Sequence, residues 1–140
     1  MGATFAKEEV MASFKRGERS STFSGTPLVC AAASAAIDVL NEEKLAERAD
    51  TLGKYFKSKL EALAEKHNVI REVRGLGLMI GVETRFDVYN ILMGCMDKGI
   101  LVLDAGRNVV RFLPPLVITK EQIDKVIETL DEVLEQQTNE

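Results

Sequence analysis

The chain has 140 residues, 46% hydrophobic and 29% charged, the proportions of a globular domain with its own core rather than a collagenous, low-complexity or disordered chain. Lys and Arg number 18 against 22 Asp and Glu, a net charge of −4 without the clustered cations that nucleic-acid binding draws on. No apolar run approaches the ~20 residues of a membrane span, and the N-terminus lacks the basic-then-apolar layout of a secretory signal, so the expected compartment is cytoplasmic.

In chain order, residues 2–6 are apolar and tolerant of extended backbone, and residues 7–14 read as a short helix with Val10, Met11 and Phe14 on one face. Residues 15–27 (KRGERSSTFSGTP) are loop, with glycines, a proline and a run of hydroxyls. Leu28 to Leu40 is rich in Ala and apolar on nearly every face, which predicts a buried helix. Asn41, followed by Glu42 and Glu43, predicts a fresh N-cap. It opens an amphipathic helix to about Lys66, with Leu45, Ala49, Leu52, Phe56, Leu60 and Leu63 facing a core.

The second half changes period. Residues 69–73 and 76–83 predict strands split at Arg74-Gly75. Asp87 can cap a helix whose inward face is Val88, Ile91, Leu92, Cys95 and Met96, with Gly99 at the C′ position. Residues 100–103 and 109–113 predict two more strands, the second ended by Pro114-Pro115. Thr119 and Gln122 form a capping box before a helix faced by Ile123, Val126, Ile127, Leu130, Val133 and Leu134. The tail from Gln136 is polar and expected to fray. This order implies an α/β fold with a small mixed sheet covered by helices on one face. The lead β-α unit and its loop have no domain of their own and read as the end of something larger.

Few residues suggest chemistry. Cys30 and Cys95 form no CxxC and read as reduced core thiols, so no metal site is expected. His67 has no partner at a suggestive spacing and reads as a solvated helix-end residue, which excludes a Ser-His-Asp hydrolase. The glycines of Gly75–Gly81 miss the dinucleotide-binding spacing and lead into a strand, so they read as a tight bend. Ser20 to Pro27 sets hydroxyls and free N–H groups just before a helix, which suits a phosphate, though by physics alone a plain N-cap and turn is the commoner reading. Arg111 lies on the strand face opposite Val110 and Phe112. It is either an ordinary surface arginine or an inward guanidinium shaped to grip a carboxylate.

Together these stretches closely resemble the C-terminal part of the class III (subgroup II) aminotransferases, enzymes of the aspartate-aminotransferase (fold-type I) fold that use pyridoxal 5'-phosphate (PLP). Four segments carry the resemblance: MGATFA (residues 1–6), GERSSTFSGTPLVC (17–30), VRGLGLMIGVE (73–83) and VVRFLPPL (109–116). The brief connection from Glu83 to Asp87 and the text GILVLDAGRNVVRFLPPL most resemble the acetylornithine and LysW-lysine branch.

The resemblance implies three parts: residues 1–27 as the end of the large PLP-binding domain, 28–66 as linking helices, and 67–140 as the small C-terminal α/β domain. Ser21 and Thr22 fall on the positions that hold the PLP phosphate across a homodimer interface, and Arg111 on the arginine that grips the α-carboxylate of amino-acid and 2-oxo-acid substrates. The implied reaction passes an amino group from N-acetylornithine or a related ω-amino substrate to 2-oxoglutarate. The alternatives are 4-aminobutyrate or ornithine transfer, or a free-standing non-catalytic domain that binds a partner subunit. Arg19-Ser20 and Thr26 depart from the family's His-Gly and Asn. The family's Schiff-base lysine falls upstream of the first segment, so this chain alone contributes no catalytic residue and is expected to be inactive.

Overall fold

A computed structural model describes residues 2–15, 17–18 and 21–138. The described chain divides into two compact units, one ending at Glu43 and the other beginning at Lys44.

The first unit holds two helices, α1 (Glu8–Met11) and α2 (Pro27–Glu42), with irregular chain before α1. The predicted helix over 7–14 is reduced to four residues, and Val10, Met11 and Phe14 are exposed. A helix this short propagates poorly without packing to hold it. Pro27 opens α2, where its missing N–H costs nothing. The buried helix expected over 28–40 is present as a helix, but no residue of it is buried. Asn41 is not an N-cap: α2 runs on through it to Glu42, and the break falls at Lys44, whose φ of 50° is left-handed.

The second unit contains α3 (Leu45–Lys66), β1 (Ile70–Leu76), β2 (Met79–Thr84), α4 (Tyr89–Asp97), β3 (Leu103–Asp104), β4 (Val109–Phe112) and α5 (Lys120–Thr138). The sheet order is β1-β2-β4-β3 and every pairing is antiparallel, where a mixed sheet was expected. The short returns between β1 and β2 and between β3 and β4 require this, because a parallel pair needs a long crossover.

The β1–β2 turn lies at Gly77-Leu78, not at the predicted split of Arg74-Gly75. Gly77 takes the positive φ of 54° that the turn requires. Gly75 instead continues the ladder opposite Ile80, and a Cβ there would overlap the Met79 carbonyl oxygen. Its glycine serves close backbone approach rather than a bend. The same holds in α3, where a Cβ on Gly53 would overlap the Gly77 carbonyl.

One face of the sheet carries Ile80, Val82, Val110 and Phe112 into a core completed by Leu52, Phe56 and Leu60 of α3, Ile91 and Cys95 of α4, and Ile123 and Leu130 of α5. Phe56 and Phe112 meet edge to face with centroids 5.2 Å apart. On α4 the inward stripe is Val88, Ile91 and Cys95, with Leu92 half-buried; Met96, expected inside, is 47% exposed because it lies one step round the helix from Cys95. Gly99 closes α4 with a φ of 79°, its N–H donating to Met96 O at 2.9 Å and the Ile100 N–H to Cys95 O at 2.9 Å. That bond leaves Ile100 outside the ladder, so the strand predicted over 100–103 shrinks to β3. The capping box is present at α5: Thr119 N–H donates to Gln122 Oε1 at 3.0 Å and Gln122 N–H to Thr119 Oγ1 at 3.3 Å.

Candidate functional site

Arg111 sits on β4 between the buried Val110 and Phe112 and points to the sheet face away from the helices. It is half-buried, and its Nε is fully buried with no hydrogen-bond partner among the described residues. Both readings of its exposure thus meet in one side chain: the root is enclosed and the face is open. A cleft of about 240 Å³ adjoins it, walled by Leu101, Val102, Leu103, Phe112, Leu113 and Pro114. A buried donor left unpaired costs on the order of 1–3 kcal/mol, and more when it is charged. Such a cost is repaid where an anion completes the donor set, and a carboxylate matches the guanidinium fork.

Charged neighbours of Arg111 on this face are paired with one another. Arg74 Nη1 donates to Glu83 Oε2 at 2.7 Å and Glu72 Oε2 at 2.8 Å, and Arg71 Nη1 to Glu83 Oε1 at 3.1 Å. The hydrogen bond from Arg74, with the charge of Arg71 added, holds the Glu83 carboxyl below its ordinary range. The sequence pattern did not single out this cluster; strand register was needed to see it.

Ser21 and Thr22 belong to the first unit, Arg111 to the second. Both hydroxyl residues are exposed on the turn before α2. Ser21 Oγ accepts the Phe23 N–H at 3.4 Å, and Ser21 O accepts the Ser24 N–H at 3.0 Å. Thr22 forms no hydrogen bond through N–H or Oγ1 among the described residues, and Thr26 does not cap α2 with its side chain. The turn therefore presents uncommitted donors beside the positive end of a sixteen-residue helix, a donor set that fits a phosphate. Arg19 and Ser20, departures from the family pattern, lie outside the described residues.

His67 is not the solvated helix-end residue that its spacing predicts. It is 7% exposed, with Nε2 2.5 Å from Asp131 Oδ1 of α5. The Lys66 ammonium donates to the same carboxylate at 2.8 Å and to Glu135 at 2.7 Å, so these residues clamp the end of α3 to α5. Cys95 is a core thiol, pushed up to about 11 by burial, while Cys30 is half-buried. Among the described residues no group of His, Cys, Asp and Glu could hold a metal, and no helix is long and apolar enough to cross a membrane.

The aminotransferase class-III family matches residues 1–134. The chain belongs to that family. It is 44% identical over 135 residues to the acetylornithine aminotransferase of Caldanaerobacter subterraneus, covering 96% of this chain and 34% of the relative. With the acetylornithine aminotransferase of Methanocaldococcus jannaschii it shares 46% identity over 133 residues, 95% of this chain and 33% of that one. The ornithine aminotransferase of Staphylococcus carnosus is 44% identical over 133 residues, 95% and 33% of the two chains. Among solved structures, the acetylornithine aminotransferase of Elizabethkingia anophelis superposes with a TM-score of 0.83 at 37% identity, covering 94% of this chain and 36% of that one. The ornithine aminotransferase of Toxoplasma gondii, a structure with partial occupancy of PLP at its active site, gives 0.82 at 37% identity, covering 94% and 33%. This class-III aminotransferase chain thus spans about a third of the length of the curated relatives it matches.

Proposed function

We propose that this chain is the C-terminal region of a cytoplasmic, homodimeric, PLP-dependent aminotransferase that moves an amino group from N-acetylornithine or a related ω-amino substrate to 2-oxoglutarate. In that reading residues 1–27 end the large domain, 28–66 link, and 67–140 form the small domain. The observation that carries it is the unpaired, buried Nε of Arg111 beside an open cleft, the fixture that a substrate carboxylate requires.

The residues present also suit the cofactor. Ser21 and Thr22 would hold its phosphate through hydroxyl and N–H donors at the start of α2, without spending a helix cap to do so. PLP supplies the electron sink for amino transfer when bound. This chain's part is to hold and orient: Thr22 and Ser21 fix an anion, while Arg111 fixes the carboxylate end of the amino acid or 2-oxo acid.

The test is glutamate formation from 2-oxoglutarate by the full-length protein, with N-acetylornithine, ornithine and 4-aminobutyrate compared as donors. N-acetylornithine should give the highest kcat/KM. Preference for ornithine or 4-aminobutyrate would place the protein in the other branch of the class, and no transfer from any donor would overturn the reading.

A further inference from the structure

Strand register places Arg74, Gly81 and Arg111 in one row across β1, β2 and β4, and Glu72, Glu83 and Val109 in the next row of the same face. Glu83 is therefore a diagonal neighbour of both arginines, at a backbone spacing of about 7–8 Å that long side chains can span either way. It turns to one of them. Its Oε2 accepts from Arg74 Nη1 at 2.7 Å, while across the other diagonal Arg111 Nε is left buried and unpaired. Glu72 and Glu83 face each other directly across the β1–β2 ladder, an arrangement that repels unless a cation is shared, and Arg74 is that cation. Gly81 puts no side chain into the row, and Val109 Cγ1 leans to within 3.3 Å of where its Cβ would stand. Val109 thus leans across the diagonal between Glu83 and Arg111, while Arg74 holds Glu83 from the opposite strand.

We propose that Arg74 is a positioning residue for the carboxylate site: by holding Glu83 on the β1 side, it keeps the Arg111 guanidinium open to an anionic substrate. The inference rests on the reading of Arg111 as the carboxylate grip. Without Arg74, the Glu83 side chain, 17% exposed, keeps only Arg71, whose side chain is 66% exposed and screened by water. The enclosed donor on Arg111 becomes its better partner. A carboxylate from the protein itself then occupies Arg111 in competition with substrate.

The experiment is calorimetric titration of 2-oxoglutarate into the full-length protein, comparing wild type, Arg74→Ala, Arg74→Ala/Glu83→Gln and Arg111→Ala. Arg74→Ala should raise Kd about fivefold, as expected for a partly screened charge, and adding Glu83→Gln should return it to near the wild-type value. A residue that merely braced the sheet would not be rescued by removing its partner as well. Arg74→Gln, which keeps a long polar side chain, repeats the comparison if the alanine variant fails to fold. Wild-type affinity in Arg74→Ala, or a double variant as weak as the single, overturns the proposal. Wild-type affinity in Arg111→Ala overturns instead the reading on which it rests.

Discussion

At the scale of residues, Thr22 and Ser21 both keep donors for an anion. Accepting the Phe23 N–H leaves the Ser21 O–H free to donate, and Thr22 has both its N–H and its O–H uncommitted among the described residues. Thr22→Val, which keeps the shape and removes the hydroxyl, should weaken PLP affinity of the full-length protein about tenfold, the worth of one hydrogen bond to a charged group. Cofactor titration followed by absorbance measures it, and unchanged affinity would remove Thr22 from the phosphate site. Period-2 alternation sufficed to set Arg111 opposite Val110 and Phe112. It could not show that Nε is buried, or that residues 101–103 and 113–115 line a cleft beside Arg111, because both depend on tertiary packing. His67 was illegible for the same reason. Its partner Asp131 is 64 positions away, and only the packing of α3 beside α5 brings them together.

At the scale of elements, the local signals that held were those whose chemistry is complete within a few residues. The Thr119–Gln122 box and the Gly99 helix end each satisfy their own backbone groups, so the text alone determines them. The misreadings share a cause as well. Arg74-Gly75 looks like a break, yet Gly75 and Gly53 are glycines because other backbone comes close to them, a tertiary demand. The α3–α5 clamp carries a pH dependence of definite sign. Hydrogen bonds from His67 and then Lys66 hold the Asp131 carboxyl below its ordinary 3.8, so the folded state binds that proton more weakly than the unfolded chain does. The stabilisation is complete above the unfolded value and is lost as pH falls through the lower folded one. Asp131→Asn should therefore lower the melting temperature by a few degrees at pH 7, with the difference from wild type shrinking below about pH 4. A difference that stays constant down to pH 3 would show that the carboxylate's charge is not what the clamp uses.

At the scale of the whole molecule, the two compact units divide the proposed work. The first carries the phosphate-side donors and an α2 that buries none of its residues, with Leu28 81% exposed. An apolar helix left this open has the composition of an interaction surface, and its all-round hydrophobicity was legible while its exposure was not. The second unit carries Arg111 on a sheet with a complete core of its own. Variants should separate cleanly: cofactor retention should follow Thr22 and substrate affinity should follow Arg111. The measurement that tests this most directly is the KM for 2-oxoglutarate of the full-length Arg111→Ala variant, with PLP content determined on the same sample. The account predicts a KM raised about ten- to a hundredfold with PLP still bound, the loss of a charged hydrogen-bonded grip. A KM equal to that of the wild type would contradict it.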